Sequence, residues 1–311
     1  MTETKEIQQL TKRQARLIDT AVEISLTPTT AKDAKFLARQ FVQVTLPHRD
    51  PKTHVWYRTN GKTALGIQAG FNFRTGESYG LPYGVIPRLL LFWVTTEAVR
   101  TKKSRLELGD SLAAFMRQVG LDPSRGGKRS DAQRLHEQMR RLFSATVTFC
   151  LPLDEKTGYG QEEFDIKISN HRVFWWSAKQ PEQGALWKSY IDLTPEFYTA
   201  ITAAPIPVHT EALRELKNSP LALDLYALCC YEAYRVEKSG KVRFIPWRAL
   251  MEQLGANYDR PDKNDGVKDF ARNCRFALKK IKPLMQTLHF TDKNGGLTIL
   301  ATSSPAISQK K

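Results

Sequence analysis

The chain has 311 residues, enough for two domains, and its content of 41% hydrophobic and 10% aromatic residues argues against a disordered protein. Its 47 Lys and Arg residues outnumber 32 Asp and Glu, giving a formal net charge of +15, so a polyanionic partner (nucleic acid or an acidic membrane surface) is favoured over an inert basic surface. The polar N-terminus predicts that there is no secretory signal, and the lack of a long apolar run predicts that there is no membrane span. The four cysteines have no metal-ligand spacing, so we expect a reduced, cytoplasmic protein.

Residues 1–80 predict a basic arm followed by a strand-containing extension. Apolar residues flank the pair Asn60-Gly61, and such a pair supplies the positive φ angles of a type I′ turn. The segment 54–67 is therefore predicted to form a β-hairpin. The arm is polar and expected to be mobile, and its basic residues are Lys12, Arg13 and Arg16.

Residues 81–200 predict a helical unit that ends in a β-hairpin. Proline in a first helical turn, Ser or Asp at N-caps and Gly after a helix mark the boundaries. The predicted elements are an apolar helix (86–100) opened by Pro87, a short strand (105–108), a short helix from Asp110 or Ser111 to Gly120, a loop (121–129), a basic helix (130–143) capped by Ser130 or Asp131, and strands at 146–149 and 164–168.

Residues 201–311 repeat this order of elements. A second Asn-Gly pair predicts another hairpin, and the last eleven residues are expected to form a frayed tail. The predicted elements are an apolar helix (221–234) opened by Pro220, a short strand (243–245), a short helix (246–255), a polar loop (256–264), a basic helix (265–281), and strands at 288–290 and 297–300 around Asn294-Gly295.

The repetition extends to the residues themselves. Residues 114–120 (AFMRQVG) recur as 249–255 (ALMEQLG), and the same shift of 135 residues aligns Leu135 with Phe270. A short helix, a loop, a longer basic helix and a hairpin are the order of a winged-helix variant of the helix-turn-helix, whose second helix enters the major groove of DNA. The sequence therefore predicts an α+β, mostly helical protein with an N-terminal extension (1–80) and two tandem winged-helix domains (81–200 and 201–311).

Both basic helices are amphipathic when residues are placed at ~100° intervals. Segment 128–141 contains five basic residues and segment 268–282 contains six, mostly opposite the apolar stripe. One such helix is explained equally well as a solvated face, but two in equivalent positions favour a nucleic-acid partner. The apolar stripes consist of Leu135, Met139, Leu142 and Phe143 in the first helix, and of Phe270, Cys274, Ala277 and Ile281 in the second.

Arg and Gln on these helices can read base edges, because Arg bonds to guanine and Gln to adenine in the major groove. Basic residues at the helix edges more often hold phosphates. Glu137 either accepts from cytosine or, more simply, pairs with a neighbouring Arg. The candidate DNA-binding residues are Lys128, Arg129, Ser130, Gln133, Arg134, Arg140, Arg141, Lys263, Asn264, Lys268, Arg272, Arg275 and Lys279.

The sequence carries no pattern typical of an enzyme. Its six histidines lack the close spacing of metal ligands, and neither standard glycine-rich phosphate loop occurs. We therefore expect no metal, no cofactor, no catalytic residues and no ATPase or helicase activity.

Several segments resemble the plasmid-encoded RepA family of replication initiators. They are residues 81–88 (LPYGVIPR), 106–111 (LELGDS), 115–118 (FMRQ) and 138–143 (QMRRLF), together with 56–61 (WYRTNG). The resemblance covers roughly residues 40–250, with specific motifs in the first unit, while the second unit depends more on the internal repeat.

The resemblance implies a bacterial initiator that binds direct repeats (iterons) in the double-stranded DNA of a plasmid origin. It also implies opening of an adjacent AT-rich segment, recruitment of the host initiator and replicative helicase, and repression of its own gene as a homodimer. Three alternatives remain open: a winged-helix transcriptional repressor, a rolling-circle nicking enzyme and an interaction module whose basic surface is incidental. The nicking enzyme is disfavoured because it needs a catalytic Tyr beside a His-rich metal site.

Overall fold

A computed structural model describes residues 11–26, 33–61, 63–124, 130–152, 161–174, 180–184, 189–255 and 263–307, in which helices alternate with short strands. The helices are α1 (Lys12–Leu26), α2 (Arg39–Gln43), α3 (Val85–Thr101), α4 (Leu112–Gln118), α5 (Asp131–Ser144), α6 (Pro195–Ala203), α7 (Thr210–Leu216), α8 (Pro220–Ser239), α9 (Trp247–Leu254) and α10 (Lys263–Leu284). The strands are β1 (Ala34–Ala38), β2 (Val55–Asn60), β3 (Thr63–Gln68), β4 (Arg105–Glu107), β5 (Thr146–Pro152), β6 (Gln161–Lys167), β7 (Ser169–Val173), β8 (Tyr190–Leu193), β9 (Pro205–His209), β10 (Arg243–Pro246), β11 (Phe290–Thr291) and β12 (Gly296–Ile299).

The predicted repeat is visible in the positions of the helices. Val85 and Pro220 begin α3 and α8, and Leu112 and Trp247 begin α4 and α9, so both pairs keep the shift of 135 residues. In each half the order is a buried helix, a short strand, a short helix, a basic helix and a hairpin. The predicted order of elements is therefore present twice.

The two halves differ in how their strands pair. In the C-terminal half, β10 pairs with β12 of the hairpin, giving the sheet order β10-β12-β11. In the N-terminal half, β3 pairs with the hairpin strand β5, giving the order β2-β3-β5-β6, while β4 pairs with β8 in the order β4-β8-β7. The extension hairpin β2–β3 thus belongs to the sheet of the first hairpin.

Helices α3 and α8 lie at the centre of the protein and are surrounded by other elements. Their apolar residues, such as Leu90, Trp93, Tyr226 and Leu228, are buried around most of the helix circumference. A helix that is hydrophobic on all sides belongs in a core. Because α3 and α8 contact each other, the two halves share one core instead of forming separate ones.

A buried ion pair joins these two helices. The guanidinium of Arg88 in α3 donates to both carboxylate oxygens of Asp224 in α8, each at 2.7 Å, and the two side chains are only 4% and 6% exposed. Arg88 also donates to the backbone carbonyls of Leu46 and Pro47, and His48 Nε2 lies 2.9 Å from Asp224 Oδ2. The segment before the extension hairpin is thereby tied to both central helices.

The network shifts the pKa values of its members. Burial alone would raise the pKa of Asp224, but the charge of Arg88 and the hydrogen bonds from His48 and Arg88 outweigh it and hold that pKa below its usual value. The pKa of His48 is also lowered, chiefly by burial, with Arg88 acting in the same direction. The carboxylate is therefore ionised and the imidazole neutral near pH 7.

The N-terminal arm differs from its prediction. Residues 12–26 form helix α1 instead of a mobile segment, and residues 1–10 lie outside the described part. Arg16 bonds Glu215 of α7 at 2.6 Å, and Ser25 Oγ donates to Gln286 just after α10. The helix is stabilised by tertiary contacts with residues far away in the sequence.

The two Asn-Gly pairs behave differently. Asn294 and Gly295 have φ angles of 57° and 76°, as the predicted type I′ turn requires. In the first hairpin, Asn60 pairs with Thr63 inside the ladder, so the loop consists of Gly61 (φ 58°) and residue 62, which lies outside the described residues. The hairpin is present, but its turn begins one residue later than predicted.

The C-terminal tail is packed over residues 301–307. Ser303 is buried, and its hydroxyl accepts from the amide of His289 at 2.9 Å and donates to the carbonyl of the same residue at 2.8 Å. Ala306 packs against the core. The prediction of a frayed tail is wrong for these residues, while residues 308–311 lie outside the described part.

Candidate nucleic-acid interface

Helix α5 starts at the predicted cap and buries the predicted stripe. The hydroxyl of Ser130 accepts from the amide of Gln133 at 3.2 Å, which satisfies one of the unpaired amides at the start of the helix. Ser130 is itself buried, so its side chain serves as the N-cap of α5 and is not exposed on the candidate DNA-binding face. The buried stripe consists, as predicted, of Leu135, Met139, Leu142 and Phe143.

The opposite face of α5 carries exposed charge. Arg134 is 56% exposed and contacts Asp131, one helical turn earlier, at 3.1 Å. Arg140 is exposed and Gln133 is half-buried. An exposed pair between residues i and i+3 is weak, because water competes for both groups. Arg134 can therefore leave Asp131 for a stronger acceptor such as a base edge or a phosphate.

Arg141 lies on the polar side of α5, as helical periodicity predicts, but contrary to the prediction its side chain is covered by other parts of the protein. Its side chain is 14% exposed, contacts Asp50 at 3.3 Å and Glu137 at 2.6 Å, and donates to the carbonyl of Leu81 at 3.1 Å. Its guanidinium also lies over the ring of Tyr83 at 5.1 Å. The pairing of Glu137 with Arg141 is one of the two alternatives that the sequence left open.

We predict that Arg140→Ala and Arg141→Ala, which remove the same charge from adjacent positions, affect different properties of the protein. Arg141→Ala is expected to cost about 1–3 kcal/mol of folding stability, because bonds to charged groups in a half-buried site are lost. Arg140→Ala is expected to leave stability unchanged and to weaken DNA binding. Urea denaturation and fluorescence anisotropy with labelled duplex DNA measure the two effects. Equal stability of the two variants would contradict the structural role of Arg141.

Helix α10 follows the predicted pattern along its whole described face. Phe270, Cys274, Ala277 and Ile281 are buried, and burial raises the pKa of the Cys274 thiol, so this cysteine serves as a small core residue. The exposed residues on the other side are Lys268, Arg272, Arg275 and Lys279.

Two of these basic residues are held in different ways. Arg272 is 65% exposed and contacts Asp269 at 2.8 Å, the same weak i,i+3 arrangement as in α5. Arg275 bonds Asp292 in the hairpin turn region at 3.0 Å and lies over the ring of Trp247 at 5.3 Å. Arg275 therefore connects α10 to both α9 and the C-terminal hairpin, and Arg272 is the more available of the two.

Four of the candidate residues cannot be placed as side chains. Lys128 and Arg129 lie outside the described residues. Lys263 and Asn264 lie in the first turn of α10, which starts two residues before the predicted start at 265, and only their backbone is described. Their contacts with DNA stay predictions.

The described residues contain neither a candidate metal site nor a candidate membrane-spanning helix. No group of three or more His, Cys, Asp and Glu among them could hold a metal ion. None of the described helices is both long and apolar enough to cross a bilayer.

One element beside α10 was missed in the sequence. Helix α1 packs against α10, and Arg13 lines the same cleft as Lys279 and Lys280. The signal was present in the sequence, because Leu17, Ala21 and Ile24 recur at helical spacing.

The geometry defines a class of basic protein in which a duplicated helical unit turns two basic helix faces to solvent. Within this class, the chain belongs to the plasmid-encoded RepA family, since the family model described as plasmid encoded RepA protein matches residues 81–248, more than half of the chain. The resemblance seen in the sequence is confirmed, and the family supports a role in initiating plasmid replication.

Among solved structures, the chain is similar to RctB. The crystal structure of RctB domains 2-3 has 11% sequence identity and a TM-score of 0.46, with 81% of this chain and 92% of that chain covered. A selenomethionine derivative of domains 2 and 3 of RctB has 11% identity and a TM-score of 0.47, with 84% and 96% covered. No curated protein sequence matches the chain.

Proposed function

We propose that this protein initiates plasmid replication by binding repeated origin sequences through two winged-helix units. The first unit consists of α3, β4, α4, α5 and the hairpin β5–β6. The second consists of α8, β10, α9, α10 and the hairpin β11–β12. In each unit the basic helix, α5 or α10, enters the major groove of double-stranded DNA.

The observation that carries this proposal is the paired exposure of the two basic helices. Each follows a short helix, precedes a hairpin, buries an apolar stripe and has an exposed Arg in a weak i,i+3 pair with a carboxylate. A solvated face explains one such helix, but it gives no reason for the same arrangement in both halves. Membership of the RepA family supports the same assignment.

The wider role follows from the family resemblance. We propose that binding to iterons opens an adjacent AT-rich segment and brings the host initiator and replicative helicase to the origin. The protein would act on plasmid DNA in the bacterial cytoplasm, without catalysis, cofactor or metal, and a homodimer would repress its own gene. The neighbouring DNA tests initiation against simple repression, because direct repeats beside an AT-rich stretch favour initiation.

We predict that affinity for duplex DNA falls steeply with salt. Each Lys or Arg that neutralises a phosphate releases counterions, so log K falls by about 0.9 per contact for each unit of log salt. Anisotropy titrations across a range of salt concentrations measure the slope for wild type and Lys279→Gln, and the variant should lose about one unit.

Lys103→Gln is the matched control, because Lys103 is exposed between α3 and β4 and lies outside both basic helices. Its slope should equal that of wild type. A salt-independent affinity in the wild-type protein would remove the electrostatic basis of the proposal.

A further inference from the structure

Helix α1 is fixed in place beside α10. Its first turn is closed by a reciprocal pair of hydrogen bonds: the amide of Thr11 donates to Gln14 Oε1 at 2.9 Å, and the amide of Gln14 donates to Thr11 Oγ1 at 3.3 Å. Farther along, Arg16 bonds Glu215 of α7, and Leu17 packs against the core. The side chains of its first turns therefore hold a defined position relative to α10.

A cleft of about 410 Å³ lies between the two helices. Leu17, Ile18 and Phe276 form its apolar lining. Three cationic side chains reach the cleft, and they are Arg13 from α1 and Lys279 and Lys280 from α10. Glu215 is the acidic residue of the lining, and its carboxylate already accepts from Arg16 at 2.6 Å.

The three cations are not neutralised within the part of the chain that the structure describes. No described carboxylate lies within ion-pair distance of Arg13, Lys279 or Lys280. The pKa of Lys280 is lowered by partial burial and then by the charge of Arg13, which is the sign of like charges in proximity. Bringing like charges together costs free energy, and an anion bound between them would offset this cost.

We propose that the cleft between α1 and α10 binds a phosphate group of the DNA backbone, beside the groove that α10 enters. The inference rests on the proposed function, because it places DNA along α10. The Arg13 guanidinium offers a planar fork that matches a phosphate bidentately, while Lys279 and Lys280 add point charges from the other wall. Helix α1 thereby extends the DNA-binding surface beyond the two helical units.

The test compares single charge removals on α1 and α10. Arg13→Gln and Lys280→Gln are titrated with a fluorescently labelled duplex of mixed sequence, across a range of salt concentrations. Each should lower affinity and reduce the salt slope by about one unit. Lys12→Gln is the matched control, because Lys12 precedes Arg13 on the same exposed turn but does not line the cleft. It should change the slope by less than half as much.

Three outcomes would overturn the proposal. The first is equal salt slopes for Arg13→Gln and Lys12→Gln. The second is a wild-type affinity of Arg13→Ala for the duplex, which would show that the charge of Arg13 does not contribute to DNA binding. The third is saturable binding of inorganic phosphate at constant ionic strength, abolished by Arg13→Gln while the DNA slope is unchanged, which would assign the cleft to a free phosphate. Urea midpoints confirm that the variants are folded.

Failure of the cleft can be distinguished from failure of the proposed function. If Arg272→Gln weakens duplex binding but Arg13→Gln does not, α10 contacts DNA and the cleft proposal alone is wrong. If neither variant has an effect, the DNA-binding role of α10 is wrong as well.

Discussion

Replacing Asp224 with Ala is expected to lower the free energy of unfolding by about 3–5 kcal/mol, since it leaves a buried guanidinium without its carboxylate. Arg88 would keep its bonds to backbone carbonyls, but its charge would have no counter-ion at a site that is 4% exposed. Urea denaturation followed by circular dichroism measures the loss. The effect is large because the ion pair joins the two central helices.

Asp192→Ala provides a matched control. Asp192 accepts two hydrogen bonds from Arg105, each at 2.7 Å, but Arg105 is exposed and water can replace the carboxylate. Its removal should leave the unfolding midpoint nearly unchanged. If Asp224→Ala costs no more than this control, the buried network does not hold the helices together.

A double variant separates stability from specificity. Replacing Arg88 with Met and Asp224 with Leu removes both charges together, and such replacements are often neutral or stabilising. We expect the double variant to regain most of the stability lost in Asp224→Ala. If the double variant is stable but still binds DNA more weakly than wild type, the loss would show that the ion pair is needed to position the two units relative to each other.

The same network makes stability sensitive to acid. The lowered pKa of His48 means that the unfolded state takes up a proton first, so stability declines as the pH falls below about 6.5. The lowered pKa of Asp224 adds a second loss, which sets in below about 3.9 and runs down through its folded pKa. The contribution of this network should therefore be fully developed above pH 6.5, and Asp224→Asn should remove the lower part of the acid transition while the loss from His48 below about 6.5 persists.

The features that the sequence predicts correctly depend on local patterns. Ser130 caps α5 because its side chain needs only an amide three residues away. The turn at Asn294-Gly295 forms because both residues tolerate positive φ. The apolar stripe of α10 is visible because periodicity is a property of the helix itself. These interactions span a few residues, and the sequence contains all the information they require.

The features that were missed depend on distant residues. Strand β1 pairs with β9, which lies far along the chain, and Pro205 and Pro207 obscure the strand signal of β9. Two prolines are tolerated there because this is a two-stranded sheet, in which each strand has a free edge. No periodicity within either segment identifies the other as its partner.

Arg141 illustrates the same limit within the candidate site. Its angular position on α5 is on the polar side, as the helical wheel requires, but Asp50, Leu81 and Tyr83 cover that end of the helix. A helical wheel gives the direction of a side chain and does not give what lies in that direction. For α10, whose polar face is less covered, the same reasoning correctly placed Arg272 and Lys279 in solvent.

The exposed arginines lead to the sharpest test of DNA recognition. Arg134 and Arg272 are each held by one carboxylate a turn away, and exposed pairs of this kind contribute less than about 1 kcal/mol. Exchange of that carboxylate for a guanine edge is therefore energetically accessible. Arg275 is tied to Asp292 and Trp247, so it is better suited to hold the hairpin against α10.

We predict that Gln133→Ala or Arg134→Ala relaxes base preference in one half of the DNA site and that Arg272→Ala relaxes it in the other. Each lost bidentate contact should cost about 1–3 kcal/mol at one base position and little elsewhere, with the two halves about one helical turn (~34 Å) apart. Binding scans over all single-base variants of an origin repeat measure this. Lys279→Gln is the control, because loss of a phosphate contact weakens every sequence equally. If the Gln133, Arg134 and Arg272 variants all keep wild-type preference at every position, both helices are solvated faces and recognition by two helices is wrong.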